Sequence, residues 1–349
     1  MLTKLIRLAE RGFIPDFFVR NGIKQLCTAR LKMEKKLGQE IIEEKNQSWI
    51  KTLKNSPIAL VPEKANEQHY EVPPSFFEYV LGPHMKYSSG YWPKENMSLE
   101  NSEKEMLSLS CERAELQDGQ SILELGCGWG SLTLYVAKKY PNSHITAVSN
   151  SADQKDFIIN LCQNNSISNI SVITSDMNSF TIDKKFDRIM SIEMFEHMRN
   201  YKKLLGLLSG FLHNNGKLFV HIFSHRYLTY PFEDKGPGDW MAREFFSGGM
   251  MPSHNLLLYF QNDLQIEDSW RLSGSHYQKT SKEWLRKMDE NQEKIIEVFS
   301  DTYGNNYAHI WFQRWRMFFM SCEILFGYNN GDEWGLSHYR FIKRKNGYN

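Results

Sequence analysis

The sequence predicts an α/β protein, built on a doubly wound, largely parallel sheet with a helical arm before it and helical insertions toward the C-terminus. From Ser121 onward, short apolar runs alternate with stretches of helical periodicity, the pattern of a sheet covered by helices on both faces. The first of those runs ends in a glycine turn, Gly126-Cys-Gly-Trp-Gly. Composition agrees with one large domain or two modest ones: of 349 residues, 41% are hydrophobic and 24% charged. No apolar run approaches the roughly 18 residues that span a bilayer.

Residues 1–65 read as the helical arm. Leu2, Leu5, Ile6, Ala9 and Phe13 recur at helical spacing until Pro15 breaks the run. Asp16 then caps a second helix through Val19, Ile23, Leu26 and Cys27. A third, charged helix covers Leu37 to Leu53, and Pro57 and Pro62 end it. Between Met1 and Pro57 there are 12 Lys/Arg against 6 Asp/Glu, in a chain whose net charge is +1. The favoured reading of this basic start is a solvated arm, with contact to an anionic membrane surface as the alternative. Whole-chain charge offers no footprint for nucleic acid.

Residues 66–349 form the remaining domain. It opens with an aromatic connector, His69-Tyr-Glu-Val-Pro-Pro-Ser-Phe-Phe and then Lys86-Tyr-Ser-Ser-Gly-Tyr-Trp, which fits neither helix nor strand and reads as a lid or substrate wall. Ser98 to Glu115 reads as a helix. Strands at Ile122–Leu125, His144–Val148, Ser171–Thr174, Phe186–Ile192 and Lys217–Phe223 alternate with helices at Leu132–Lys139, Ala152–Asn164 and Tyr201–Leu212. A covering insertion, about residues 226–330, begins in Gly/Pro-rich loops and carries helices at Lys282–Asp301 and Ala308–Leu325. A last strand, Gly335–Ile342, returns to the sheet. The five cysteines show no C-x-x-C pair or zinc spacing, so they read as reduced thiols of a cytoplasmic protein, and no metal is expected.

Gly126, Gly128 and Gly130 let the backbone turn sharply and let a ligand lie directly on it. Their G-x-G-x-G spacing, without the G-K-[ST] of a phosphate loop, disfavours dinucleotides and ATP. Glu124, on the strand just before them, puts a carboxylate at the site; it repels phosphates and suits ammonium and sulfonium groups. The expected cofactor is S-adenosylmethionine. Glu193, Glu196 and His197 follow the fourth strand, at the end where open α/β sheets bind ligands. If a helical turn begins there, their spacing puts all three on one face. Two carboxylates and an imidazole can hold a cationic amine and take its proton, which an ammonium must lose before it can attack a methyl group.

Four segments, in order, carry a resemblance: Leu125-Gly-Cys-Gly-Trp-Gly-Ser-Leu, Ser191-Ile-Glu-Met-Phe-Glu-His-Met, Leu256-Leu-Leu-Tyr-Phe-Gln-Asn-Asp and Gly331-Asp-Glu-Trp. They resemble the coclaurine N-methyltransferase-like subgroup of the cyclopropane-fatty-acyl-phospholipid synthase (mycolic acid cyclopropane synthase) family, from about His69 to Arg344. The resemblance implies a class I methyltransferase sheet of Rossmann-like build and N-methylation of a small amine, aromatic or alkaloid-like in the best-known relatives. It implies that Asn150 and the Gln154 amide meet the ribose, in place of the usual acid. By the same resemblance Asp176 and Met177 flank the adenine, and Tyr87 and Ser88 close over the methionine end. Glu196 and His197 would be base and orienting pair, with Glu193 holding the cation. A homodimer is the assembly it allows for.

The rival reading within the family is lipid cyclopropanation. Those synthases hold a bicarbonate base around a Cys, a Glu, a His and a Tyr, which match Ser89, Glu196, His221 and Tyr277 here. The cysteine is replaced by Ser89, and Glu193 stands where the synthases usually have Gly. An extra carboxylate suits an amine and does nothing evident for an alkene, so N-methylation is favoured.

Overall fold

The computed structural model describes residues 1–35, 38–60 and 72–344. The expected boundary at residues 65 and 66, Leu37, and the connector's start at His69 lie outside them.

Five parallel strands form the centre: β1 (Ser121–Leu125), β2 (His144–Ser149), β3 (Ile170–Thr174), β4 (Phe186–Ile192) and β5 (Leu212–His225). A separate ladder of two residues per strand pairs β6 (Tyr230–Pro231) with β7 (Met250–Met251). The main sheet continues with β8 (Leu264–Leu272) and β9 (Trp334–Lys343), in the order β3-β2-β1-β4-β5-β9-β8. β9 runs antiparallel to both β5 and β8. The central strands are apolar runs because both their faces are covered; Leu123, Leu125, Ile189 and Met190 are fully buried. The chain leaves β1 toward β2 on one side, and β4 lies on the other. That reversal opens a crevice at the strands' carboxyl ends.

Helices α4 (Pro74–Val80) and α5 (Leu99–Arg113) precede the sheet, and α6 (Ser131–Lys139), α7 (Ala152–Asn164) and α8 (Tyr201–Phe211) connect its parallel strands. Side chains start three of them: Ser98 accepts from Asn101 N, Ser151 from Gln154 N and Asn200 from Lys203 N. The insertion adds α9 (Trp240–Glu244), α10 (Ser275–Glu290), α11 (Gln292–Tyr303) and α12 (Asn305–Gly327).

The arm consists of α1 (Leu2–Glu10), α2 (Asp16–Lys35) and α3 (Gly38–Asn55). It is only partly solvated. Ala9, Cys27 and Leu31 enter the same core as Trp315 and Phe318 of α12, while Ile50 and Leu53 of α3 pack with Leu204 and Leu208 of α8. The arm's acids meet cations of α12: Arg316 pairs with Asp16 (2.8 Å) and Arg314 with Glu10 (3.0 Å). Its outer side keeps large apolar groups in solvent, among them Phe13, Phe17 and Phe18. Among the described residues no helix is long and apolar enough to cross a membrane, and no cluster of metal-ligating side chains occurs.

Four expectations need correction. The connector contains a helix: Pro74 occupies its first turn, where a missing N–H costs nothing, and Phe76, Phe77 and Val80 are buried at helical spacing. The single helix expected over Lys282–Asp301 is two, broken at Asn291, whose amide donates to Tyr79 O and Lys287 O. β8 was not expected at all. Finally, the connector read as a lid or substrate wall buries several of its aromatic groups in the core: Phe76 and Phe77 have no exposed surface, and Trp92 is buried.

Candidate active site

A cavity of about 780 Å³, partly open to solvent, occupies the crevice at the ends of β1 to β4. Gly126 and Gly128 form its floor. Gly126 (φ +72°) donates to Val148 O, and a Cβ there would lie 2.8 Å from Met194. Gly128 (φ +53°) has nothing within 4 Å of the place a Cβ would take, so its bare backbone is a cradle for a ligand. Gly130 (φ +81°) stands back from the cavity at the start of α6, where a Cβ would strike Ile158.

Asn150, Gln154, Asp176 and Met177 line the wall. Gln154 Oε1 accepts from Ser149 Oγ at 2.6 Å, while its buried Nε2 has no hydrogen-bond partner among the described residues. An orphaned donor on a cavity wall suits a ligand hydroxyl. Asp176 Oδ1 accepts from Asn178 N (2.7 Å). Three other expected cofactor residues are placed differently. Glu124 is buried beneath the glycines and accepts from Thr133 Oγ1 at 2.6 Å; burial raises its carboxyl to about 8. Tyr87 packs among Phe77, Trp284 and Trp315, and Ser88 accepts from the ammonium of Lys86. None of these three forms part of the wall.

Glu193 and His197 face the same cavity from the other side. Glu193 adopts φ +48°, a left-handed backbone that costs a side-chain-bearing residue about 1 kcal/mol or more. Its carboxylate is held from three elements: Oε1 accepts from Ser89 N (3.1 Å) and lies 3.3 Å from His221 Nε2, and Oε2 accepts from Tyr277 Oη (2.8 Å). Burial pushes its pKa up, opposed chiefly by the charge of Lys86. His197 stacks on Phe246, ring centroids 4.5 Å apart. Burial, helped by the charge of Arg199, lowers the imidazole to about 4 and keeps it neutral near pH 7.

Glu196 does not share that face. The residues form a 3-10 turn, Phe195–His197, and Glu196 is completely buried, with Oε1 accepting from Phe223 N at 2.7 Å. Burial, then the charge of Glu193, pushes its carboxyl well above the usual range. Besides Val148, Ser149, Ser175, Met194 and Met198, which adjoin expected residues, the wall includes two stretches remote from them in sequence: Ala59, at the end of the arm, and Ser247-Gly248. The latter lies in the glycine-rich loop visible in the sequence; nothing in the sequence marks Ala59.

A family profile described as mycolic acid cyclopropane synthetase matches residues 61–332. (S)-Coclaurine N-methyltransferase from Thalictrum flavum subsp. glaucum is 37% identical over 348 residues, which cover 99% of this chain and 96% of that protein. Pavine N-methyltransferase from the same plant is 35% identical, covering 98% and 97%. Among solved structures, a coclaurine N-methyltransferase bound to N-methylheliamine and S-adenosylhomocysteine matches with a TM-score of 0.94 at 36% identity, over 97% of this chain and 99% of that one.

Proposed function

Starting from a chain that belongs to the mycolic acid cyclopropane synthetase family and is an S-adenosylmethionine-dependent methyltransferase, we propose that it methylates the nitrogen of a small amine. The observation that carries this reading is where the Glu193 carboxylate lies. It sits among Ser89 N, His221 and Tyr277, three of the four positions around which a synthase would hold bicarbonate. A fixed carboxylate there excludes a second anion and attracts a cation. The named substrates of similar proteins, coclaurine and pavine, support an aromatic or alkaloid-like amine.

The residues of the cavity suit the cofactor: Gly126 and Gly128 give a bare floor, Gln154 Nε2 and Asn150 would hold the ribose hydroxyls, and Asp176 and Met177 would flank the adenine. When bound, S-adenosylmethionine supplies an electrophilic methyl group on a sulfonium. Glu193 holds the incoming ammonium by charge and hydrogen bonding. His197, neutral at working pH, takes the ammonium proton at a ring nitrogen, leaving a lone pair on the amine. Glu196, bound to Phe223 N behind the turn, fixes the backbone that presents both groups. Orientation toward the methyl group supplies most of the remaining rate. The five cysteines are unpaired, which supports a cytoplasmic setting; a homodimer covering Phe13, Phe17 and Phe18 is the assembly we expect, and sedimentation tests it.

The test is methyl transfer from labelled S-adenosylmethionine to an amine panel and, in parallel, to unsaturated phospholipid vesicles with and without bicarbonate. Label is expected in amines, independent of bicarbonate. Bicarbonate-stimulated label in the lipid would overturn the reading.

A further inference from the structure

Lys86 is a buried charge that the reaction described above leaves without a task. Among the described residues it is the only lysine in the buried class, 2% exposed. A buried ammonium costs several kcal/mol unless it is paired, so its surroundings should contain the reason for it. They contain two carboxylates. Glu103 of α5 accepts from Gly82 N (3.0 Å) and His84 N (3.1 Å), just before Lys86. Glu193 accepts from Ser89 N, three residues after it. Gly90 N then donates to Thr280 Oγ1 of α10 (3.0 Å), so this stretch is pinned along its whole length. Lys86 is held within it by its bond to Ser88 Oγ, and its charge acts on both carboxylates, most strongly on Glu193.

The other groups around Glu193 cannot supply a counter-charge near neutral pH. Tyr277 from α10 and Cys322 from α12 are neutral when protonated, and burial raises both. His221 from β5 is buried and pushed well below its usual value, as is His338 opposite it on β9. His197, on the same turn as Glu193, is lowered to about 4, and Glu196 adds negative charge or none.

We propose that Lys86 is a positioning residue for methyl transfer: its buried ammonium keeps Glu193 ionised inside the cavity, so that the carboxylate selects and orients a cationic amine. This rests on the reading of Glu193 as the amine holder. The amine is thereby recognised by a carboxylate already charged before it arrives, and the reaction does not have to ionise a buried acid in each cycle.

Two measurements on the full chain test this. The first needs no acceptor: infrared spectroscopy of protein carrying 13C-labelled glutamate, with Glu193→Gln identifying the band of Glu193. At pH 7.5 the native side chain should absorb as carboxylate, Lys86→Met should move it to the carboxylic-acid band, and Lys86→Arg should restore it. The second is kinetic. Lys86→Met should raise the amine KM about tenfold at pH 7, with the deficit closing as pH rises and S-adenosylhomocysteine affinity unchanged. A carboxylate band that survives Lys86→Met, or a loss of kcat equal at every pH without a shift in the KM profile, would overturn the proposal. If Lys86→Met does not fold, Lys86→Gln keeps a donor for Ser88 and is read by the same two criteria. Absence of methylated amine with the native enzyme would instead overturn the amine reading and leave the infrared result standing.

Discussion

Tyr277 donates its hydroxyl to Glu193 Oε2 across 2.8 Å, joining α10 of the covering insertion to the end of β4. The bond fixes a carboxylate whose backbone is already held left-handed, so the insertion both roofs the cavity and aims its charge. Tyr277→Phe removes one donor to the charged form, which raises the pKa of Glu193. The amine KM should rise about tenfold, the lower end of the ~1.5–3 kcal/mol typical of hydrogen bonds to charged groups. The loss should be greatest at low pH. Steady-state kinetics from pH 6.5 to 9 check this, and a native KM throughout would remove the bond from substrate binding.

His197→Ala should lower kcat about 100-fold, the usual contribution of a general base, without weakening S-adenosylhomocysteine binding. The pH dependence carries more information. An exposed histidine would lose base function below about 6.5. Burial brings His197 to about 4, so the ring accepts a fixed proton only as pH falls through that region. The acid limb of kcat should therefore move with the pKa of the acceptor amine and not stay near 6.5. Profiles for two amines of different basicity decide it: a limb fixed near 6.5 for both would show His197 exposed to solvent in the working enzyme.

Two glycines of one loop should fail in different ways. Gly126→Ala combines a left-handed backbone with a Cβ 2.8 Å from Met194, so the fold loses about 2 kcal/mol and Tm drops by about 3 °C. Gly128→Ala meets open space and loses only about 1 kcal/mol to backbone strain. Its methyl group, however, fills the cradle, and S-adenosylhomocysteine affinity should fall at least about tenfold, or ~1.4 kcal/mol. Melting curves and calorimetric titration separate the two; native affinity in Gly128→Ala would place the cofactor elsewhere.

The centre of the sheet was legible because β1 and β4 are buried apolar runs separated by stretches of helical periodicity. Helix α4 was not, because Pro73-Pro74 reads as a breaker unless the second proline is known to begin the helix. β8 escaped because it is a half-exposed edge strand, with Glu267 and Asp268 interrupting its apolar pattern. In the site, Gly126 and Gly128 follow from the glycine turn after β1, whereas Asn150, Gln154, Asp176 and Met177, which line the same cavity, were implied only by the family resemblance. The shared face of Glu193, Glu196 and His197 did not follow. Spacing arguments assume helical backbone throughout, and Glu193 is left-handed before a 3-10 turn that starts at Phe195. Nor could the burial of Lys86 be read locally, since lysine is ordinarily a surface residue.

Glu124 links the glycine loop to stability. Burial raises its carboxyl to about 8, only partly offset by the hydroxyl of Thr133, whereas in the unfolded chain it titrates near 4.5. Between those values the unfolded chain has released a proton that the folded protein keeps. Stability should therefore be fully present below about pH 4.5 and decline as pH rises toward 8. Glu124→Gln retains an acceptor for Thr133 and cannot ionise in either state, so its stability should fall less over the same range. Glu103, raised to about 7, remains in that variant and acts with the same sign, so the decline should be reduced and not abolished. Melting temperatures from pH 5 to 8.5 measure the difference, with Glu124→Gln gaining on the native protein as pH rises. Parallel curves would mean that Glu124 stays ionised in the fold, and that the glycine loop bears a permanent negative charge beneath the cofactor.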